Sequence, residues 1–133
     1  MSLSNTLKKQ HRFLLDELGK INHLGIDEST AKTRLMAIKD ALLAHLRLED
    51  EELYPALQTA ALTHPSVKMT LSVFAKEMEA VTALALAFFA KYEHTQNWQD
   101  FPKDYGHLCG KLKIRIDREE RFLYPLFDAL QEQ

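Results

Sequence analysis

Apolar residues in this chain recur three and four apart in four separate runs. From Leu7 the steps land on His11, Leu14, Leu18 and Ile21; from Leu35 they give Ile38, Leu42, His45, Glu49, and then Glu52 or Leu53. A third run takes Leu71, Phe74, Met78, Val81, Ala85, Phe88 and Tyr92, and a fourth takes Leu108, Leu112, Arg115, Glu119, Phe122 and Leu126. Such mixed spacing keeps one side of a helix turned towards its neighbours. No segment shows a comparable period of two with turn signals, so the pattern predicts an all-α chain. The breaks agree. Gly25 follows the first run and DEST, from Asp27, can open the second helix. THPS, from Thr63, separates the second and third helices with Ser66 as a candidate N-cap, and HTQNWQDFPKD separates the third and fourth. Connections this short favour antiparallel neighbours, hence an antiparallel up-down-up-down four-helix bundle, with residues 1–133 as one domain.

Two of the runs contain related segments. HLRLEDEELYPAL begins at His45 and RIDREERFLYPLF begins at Arg115, and both carry glutamate at the fifth place and Leu-Tyr-Pro at the ninth to eleventh. The shared offset predicts an internal duplication in which helices three and four repeat helices one and two. Each proline, Pro55 and Pro125, removes one backbone hydrogen bond, so a kink or loosened turn is expected near it.

The runs turn polar at particular positions. His11, His45, Glu49, Arg115 and Glu119 stand where the period calls for an apolar residue. Buried charge is costly unless it is paired or bound to a metal. His45 and Glu49 are four apart and therefore stack on one helical face, as do Arg115 and Glu119. An imidazole and a carboxylate at that spacing, facing another carboxylate across a bundle, suit a divalent cation. Plainer readings stand beside this one. His11 can be a hydrogen-bonded core histidine, Arg115 with Glu119 an ordinary helical pair adding only ~0.2–0.5 kcal/mol, and Met78 core filling.

Composition narrows the function classes. Acidic and basic residues are interspersed and the formal net charge is −2, so no broad field points to nucleic acid or anionic lipid. KLKIRIDREER alternates bases with acids, as a solvated helical face does. A lone cysteine, Cys109, excludes an internal disulfide framework and suits the cytoplasm; beside the fourth run and without a basic neighbour to activate it, it is expected to be inert. The start, MSLSNTLKKQ, has no signal-peptide core, and the longest apolar run, Ala83 to Ala90, is too short to span a bilayer. Phosphate loops and nucleophile elbows are absent, and nothing marks a substrate pocket or a second acid-base group for an enzyme with a mononuclear site, so an enzyme is not expected.

The segments KKQHRFLLDEL, HLRLEDEELYP and IDREERFLYP together resemble the hemerythrin-like family, or HHE cation-binding domains, over essentially the whole chain. The resemblance implies a four-helix bundle around a non-haem di-iron centre, with roles in oxygen binding, iron or oxygen sensing and stress responses. It matches the family's first-helix histidine to His11 and the second-helix pair to His45 and Glu49. The third-helix histidine falls on Met78, and the fourth-helix histidine falls on Arg115, while Glu119 remains. It therefore implies metal ligands at His11, His45, Glu49 and Glu119, with the nitrogen ligands of a second iron gone.

Arg115 cannot deprotonate and offers a planar fork of donors to the two glutamates, so it is expected as a counter-cation where that second iron would lie. Two outcomes stay open: one iron on the remaining half-site, in oxygen, redox or iron sensing, or a metal-free bundle acting as a protein-interaction or regulatory module. Oxygen carriage is disfavoured, because reducing oxygen to peroxide takes one electron from each of two irons. The other histidines do not replace the lost ligands. His23, His64 and His94 fall at helix ends or loops, and His107 lies ~12 Å along the helix from Arg115. Glu77 and Glu79 are placed on exposed shoulders beside Met78. Asp104-x-x-His107 resembles half of a ferritin-like ligand motif, but no Glu-x-x-His accompanies it.

Overall fold

The computed structural model describes residues 2–23 and 28–132. Gly25 and Asp27, and the side chain of His23, lie outside what it describes. The elements are α1 (Leu3–His23), α2 (Glu28–Leu48), α3 (Tyr54–Ala61), α4 (Pro65–His94), α5 (Phe101–Arg118) and α6 (Tyr124–Gln131). A π turn at Glu49–Leu53 joins α2 to α3, and another at Glu119–Leu123 joins α5 to α6. The chain thus forms four long helical rods, and no strand occurs among the described residues.

Cross-helix contacts fix the direction of every neighbour. Along α1 and α2, Glu17 meets Arg34 and Gln10 meets His45. Lys39 meets Glu93 and Tyr54 meets Met78, which runs the α2–α3 rod antiparallel to α4. Lys91 with Asp104 and Glu77 with Arg118 do the same for α4 and α5. Ser4 donates to Asp128 and the Tyr105 hydroxyl to the Leu18 carbonyl, so α1 runs antiparallel to the α5–α6 rod. The rods therefore close a ring, α1 to α2–α3 to α4 to α5–α6 and back, as an up-down-up-down bundle.

The two π turns sit one residue before the Tyr-Pro pairs. In each, the tyrosine N–H reaches five residues back, Tyr54 to the Glu49 carbonyl and Tyr124 to the Glu119 carbonyl. A proline inside a regular helix clashes with the carbonyl four residues before it and leaves that carbonyl unbonded. The wider turn falls where this disruption is expected, and the kink takes this form before both Tyr-Pro pairs. It also corrects the fourth run. Phe122, expected inside, is 55% exposed, while Leu123 is fully buried, because the extra residue of the turn rotates the face by one position. Leu126 is only partly buried, against the same cluster, and the core position there belongs to Phe127. In the second run the same turn selects Leu53 over Glu52, which is exposed.

Ser66 is not an N-cap. The helix begins one residue earlier with Pro65 at its first position and extended His64 before it, since proline's fixed φ suits N1 and its missing N–H is not needed there.

Two apolar clusters divide the interior. One gathers Leu14, Leu18, Leu35, Ile38, Phe88, Tyr92, Phe101 and Tyr105 towards the α1–α2 and α4–α5 connections. The other gathers Leu7, Leu53, Leu57, Phe74, Met78, Leu123, Tyr124 and Phe127 at the opposite end. Between them runs a polar layer. His11 lies between Leu7 and Leu14 on α1, and Glu49 and Glu119 each stand four residues before a fully buried leucine, Leu53 and Leu123.

Candidate metal centre

The apolar layers hold the polar one in place. His11, His45, Glu49 and Glu119 are each at most 2% exposed, and one nitrogen or oxygen from each lies within 4.8 Å of all the others. α1 supplies His11 and α2 supplies His45. Glu49 and Glu119 are the first residues of the two π turns, which explains how both carboxylates reach inward while the chain beyond them stays in register.

The imidazoles are oriented from behind. His11 Nδ1 lies 2.7 Å from Glu120 Oε2, and His45 Nδ1 lies 2.7 Å from Gln10 Oε1. Both partners are acceptors, so both Nδ1 atoms carry the proton and both Nε2 atoms present lone pairs. Those two lone pairs meet at 3.1 Å. The Tyr124 hydroxyl does not relieve the contact: it donates to Glu49 Oε2 at 2.9 Å and turns its oxygen towards His11 Nε2 at 3.1 Å. Two facing lone pairs at that separation need a proton or a cation between them.

The spacing of the donors fits a metal. Bonds of ~2.0–2.1 Å in a tetrahedral site put neighbouring donor atoms about 3.3 Å apart. Here His11 Nε2 is 3.2 Å from Glu119 Oε1, His45 Nε2 is 3.4 Å from Glu49 Oε1, and the two nitrogens are 3.1 Å apart. Glu119 Oε2 is buried without a hydrogen-bond partner among the described residues, an orphaned acceptor that a cation would satisfy. Two imidazole nitrogens and two carboxylate oxygens suit iron, zinc or a similar borderline ion.

A second ion has no comparable place. The Arg115 side chain is 8% exposed, its Nη2 lies 3.5 Å from Glu49 Oε1, and its Nε lies 3.8 Å from Glu119 Oε1. Nη1 is directed to Thr82 Oγ1 at 3.1 Å and to the Met78 carbonyl at 3.4 Å. The guanidinium therefore stands against both carboxylates. Met78 occupies the third-helix position, buried, with its sulfur accepting from the Tyr54 hydroxyl. Burial and the charges of Glu49 and Glu119 push that Tyr54 phenol well above its ordinary range, so it stays a donor.

Without a cation, protons do the neutralising. Burial, then the hydrogen bond and charge of Glu49, raise the Glu119 carboxyl well above the usual range. Burial also works against the Glu49 charge, but neighbouring His45 and Glu119 and the field of Arg115 outweigh it and bring its pKa down to about 2. Burial and the neighbouring His45 lower His11 to about 4.

His64, His94 and His107 stand apart from the cluster. His94 and His107 are exposed, and His64 caps its own turn through the Ala60 carbonyl at 3.1 Å. Asp104 accepts from Lys91 and Tyr92, each at 2.7 Å, which gives it a role in joining helices and not in a metal site. Glu77 pairs with Arg118, and Glu79 is exposed. Cys109 is buried beside Tyr105, and burial raises its thiol, in line with an inert residue.

Gln10, Glu120, Tyr54 and Tyr124 were not identified as functional from the sequence. Gln10 and Glu120 are each one residue from a ligand position and look off-face by periodicity. The tyrosines did carry a signal: Tyr54 and Tyr124 each follow a buried glutamate by five residues, and a π turn brings positions five apart together.

An all-α bundle with a buried His/His/Glu/Glu cluster between two apolar layers is one that could hold a metal ion. The model of the hemerythrin HHE cation-binding domain matches residues 2–127, and the chain belongs to that family. Neither the curated proteins nor the solved structures yielded a match.

Proposed function

We propose that this domain holds one divalent cation, iron by the chemistry of the family, on His11, His45, Glu49 and Glu119, and uses it in sensing or redox handling and not as an enzyme. The supporting observation is the pair of Nε2 lone pairs facing at 3.1 Å, each ring fixed from behind by an acceptor. When bound, the ion would supply Lewis acidity and a one-electron couple. The chain's own residues then have distinct tasks. Gln10 and Glu120 fix the imidazole tautomers, Tyr124 orients Glu49, and Arg115 supplies the positive charge on the side where a second ion would lie. Oxygen carriage by paired irons does not suit this arrangement.

A second reading rests on Arg115. Its guanidinium lies within 4 Å of both carboxylates and is nearly sealed from solvent, so the bundle is neutralised without any metal and would serve as an interaction or regulatory module. Elemental mass spectrometry on protein purified without a nickel step, before and after anaerobic ferrous loading, separates the two. About one ion per chain, lost in His45→Ala, supports the first. An absence of metal even after loading supports the second, and two ions per chain with oxo-bridge absorption would overturn both.

A further inference from the structure

Between α4 and α5 lies a cavity of about 410 Å³ that opens to the surface. Its size falls within the range of small-molecule sites, and its two walls differ in kind. α4 contributes the apolar Phe74, Val81 and Leu84; α5 contributes the cations Lys111, Arg115 and Arg118. The charges are not equally available. Arg118 is paired with Glu77 and lies 5.5 Å over the Phe74 ring, and Arg115 at the floor faces Glu49 and Glu119. Lys111, one turn from Arg115, has no acidic partner among the described residues. Ile114 extends the apolar lip and is 57% exposed. The cavity thus joins a greasy wall to an uncompensated cation, and Glu77, the one acid on its lining, is already engaged.

We propose that the α4–α5 cavity binds an amphipathic monoanion, a carboxylate carrying a short apolar chain, with the chain along Phe74, Val81 and Leu84 and the headgroup on Lys111. An uncharged amphiphile would gain only the apolar wall, and a cation would meet Lys111 and Arg115. The site meets the His/Glu cluster only at its Arg115 floor, and none of His11, His45, Glu49 and Glu119 lines it.

Isothermal titration of the full chain with sodium octanoate tests this, with 1-octanol as the uncharged match. Saturable binding at one site, at least tenfold tighter for octanoate, is expected. Lys111→Glu, a surface change that leaves the core intact, should weaken octanoate tenfold or more and leave octanol unaffected. Ala80→Trp, an exposed position on the same lining, should block both. Equal affinity for the two probes, or indifference to both substitutions, overturns the proposal. So does binding that disappears on chelation, which would place the carboxylate on a metal instead.

Discussion

Each histidine of the cluster has two faces, and both are in use. Nε2 points into the cluster and Nδ1 is held by Gln10 or Glu120. Partners of this kind orient ligands and raise their basicity, and their loss typically costs 10–100-fold in metal affinity. Gln10→Leu should therefore weaken the bound ion by roughly that factor, read by competition with a chromogenic chelator, while the fold measured by circular dichroism stays intact. Arg115 makes a different prediction. Replacing it with methionine leaves Glu49 buried without its cation, a change that costs about 3–5 kcal/mol when one partner of a buried pair is removed. Urea unfolding of chelated Arg115→Met should show a loss of that order, and a loaded ion, neutralising Glu49 itself, should reduce it. An equal loss in both forms would mean that no cation reaches Glu49.

The helical element carries its own lesson in the π turns. A strict 3/4 period places Phe122 in the core, and the turn places Leu123 there. Leu123→Ala should destabilise by about 2–5 kcal/mol, as for other buried leucines, and Phe122→Ala by well under 1 kcal/mol, as for exposed positions. Chemical denaturation of the two variants decides the register directly. The reverse order would return the segment to ordinary α-helix. The same turn sets Glu119 and Tyr124 in one layer, so the register is as much a property of the site as of the helix.

At the scale of the whole molecule, the cluster couples folding to protons. In the chelated protein His11 titrates at about 4 against an ordinary 6.5, so the unfolded chain takes up its proton first and stability falls as pH drops between those values. Glu49, at about 2 against 4.5, adds a further loss as pH falls below 4.5. Glu119 acts in the other direction: its raised pKa contributes most below 4.5, and that contribution is lost as pH rises through the raised value. The opposing slopes of His11 and Glu119 should flatten the metal-free profile in mild acid, with a steep fall below about pH 4.5 where His11 and Glu49 act together. Thermal melts across pH, with and without chelator, check this. Loading an ion should also expel the Glu119 proton, so calorimetry in buffers of different ionisation enthalpy should show more proton release at acid pH than at alkaline pH.

Much of this was legible in the chain itself. Four runs at helical spacing determined the rods, since burying one face of a helix requires apolar residues every three or four positions. Polar residues at His11, His45, Glu49, Arg115 and Glu119 marked the cluster, because only a partnered charge survives at such a place. No helix among the described residues is long and apolar enough to cross a membrane, as the short apolar runs imply. Tertiary structure alone decided the rest. The π turns arise where proline meets a packed core, and they put Leu123 where periodicity put Phe122. Gln10 and Glu120 became part of the site because residues 35 and 109 positions away in the chain came within hydrogen-bond reach. The guanidinium of Arg115 was also placed by packing, against Thr82 and two carboxylates. A one-dimensional pattern states which face a residue occupies, while the distance between two faces exists only once the helices have packed.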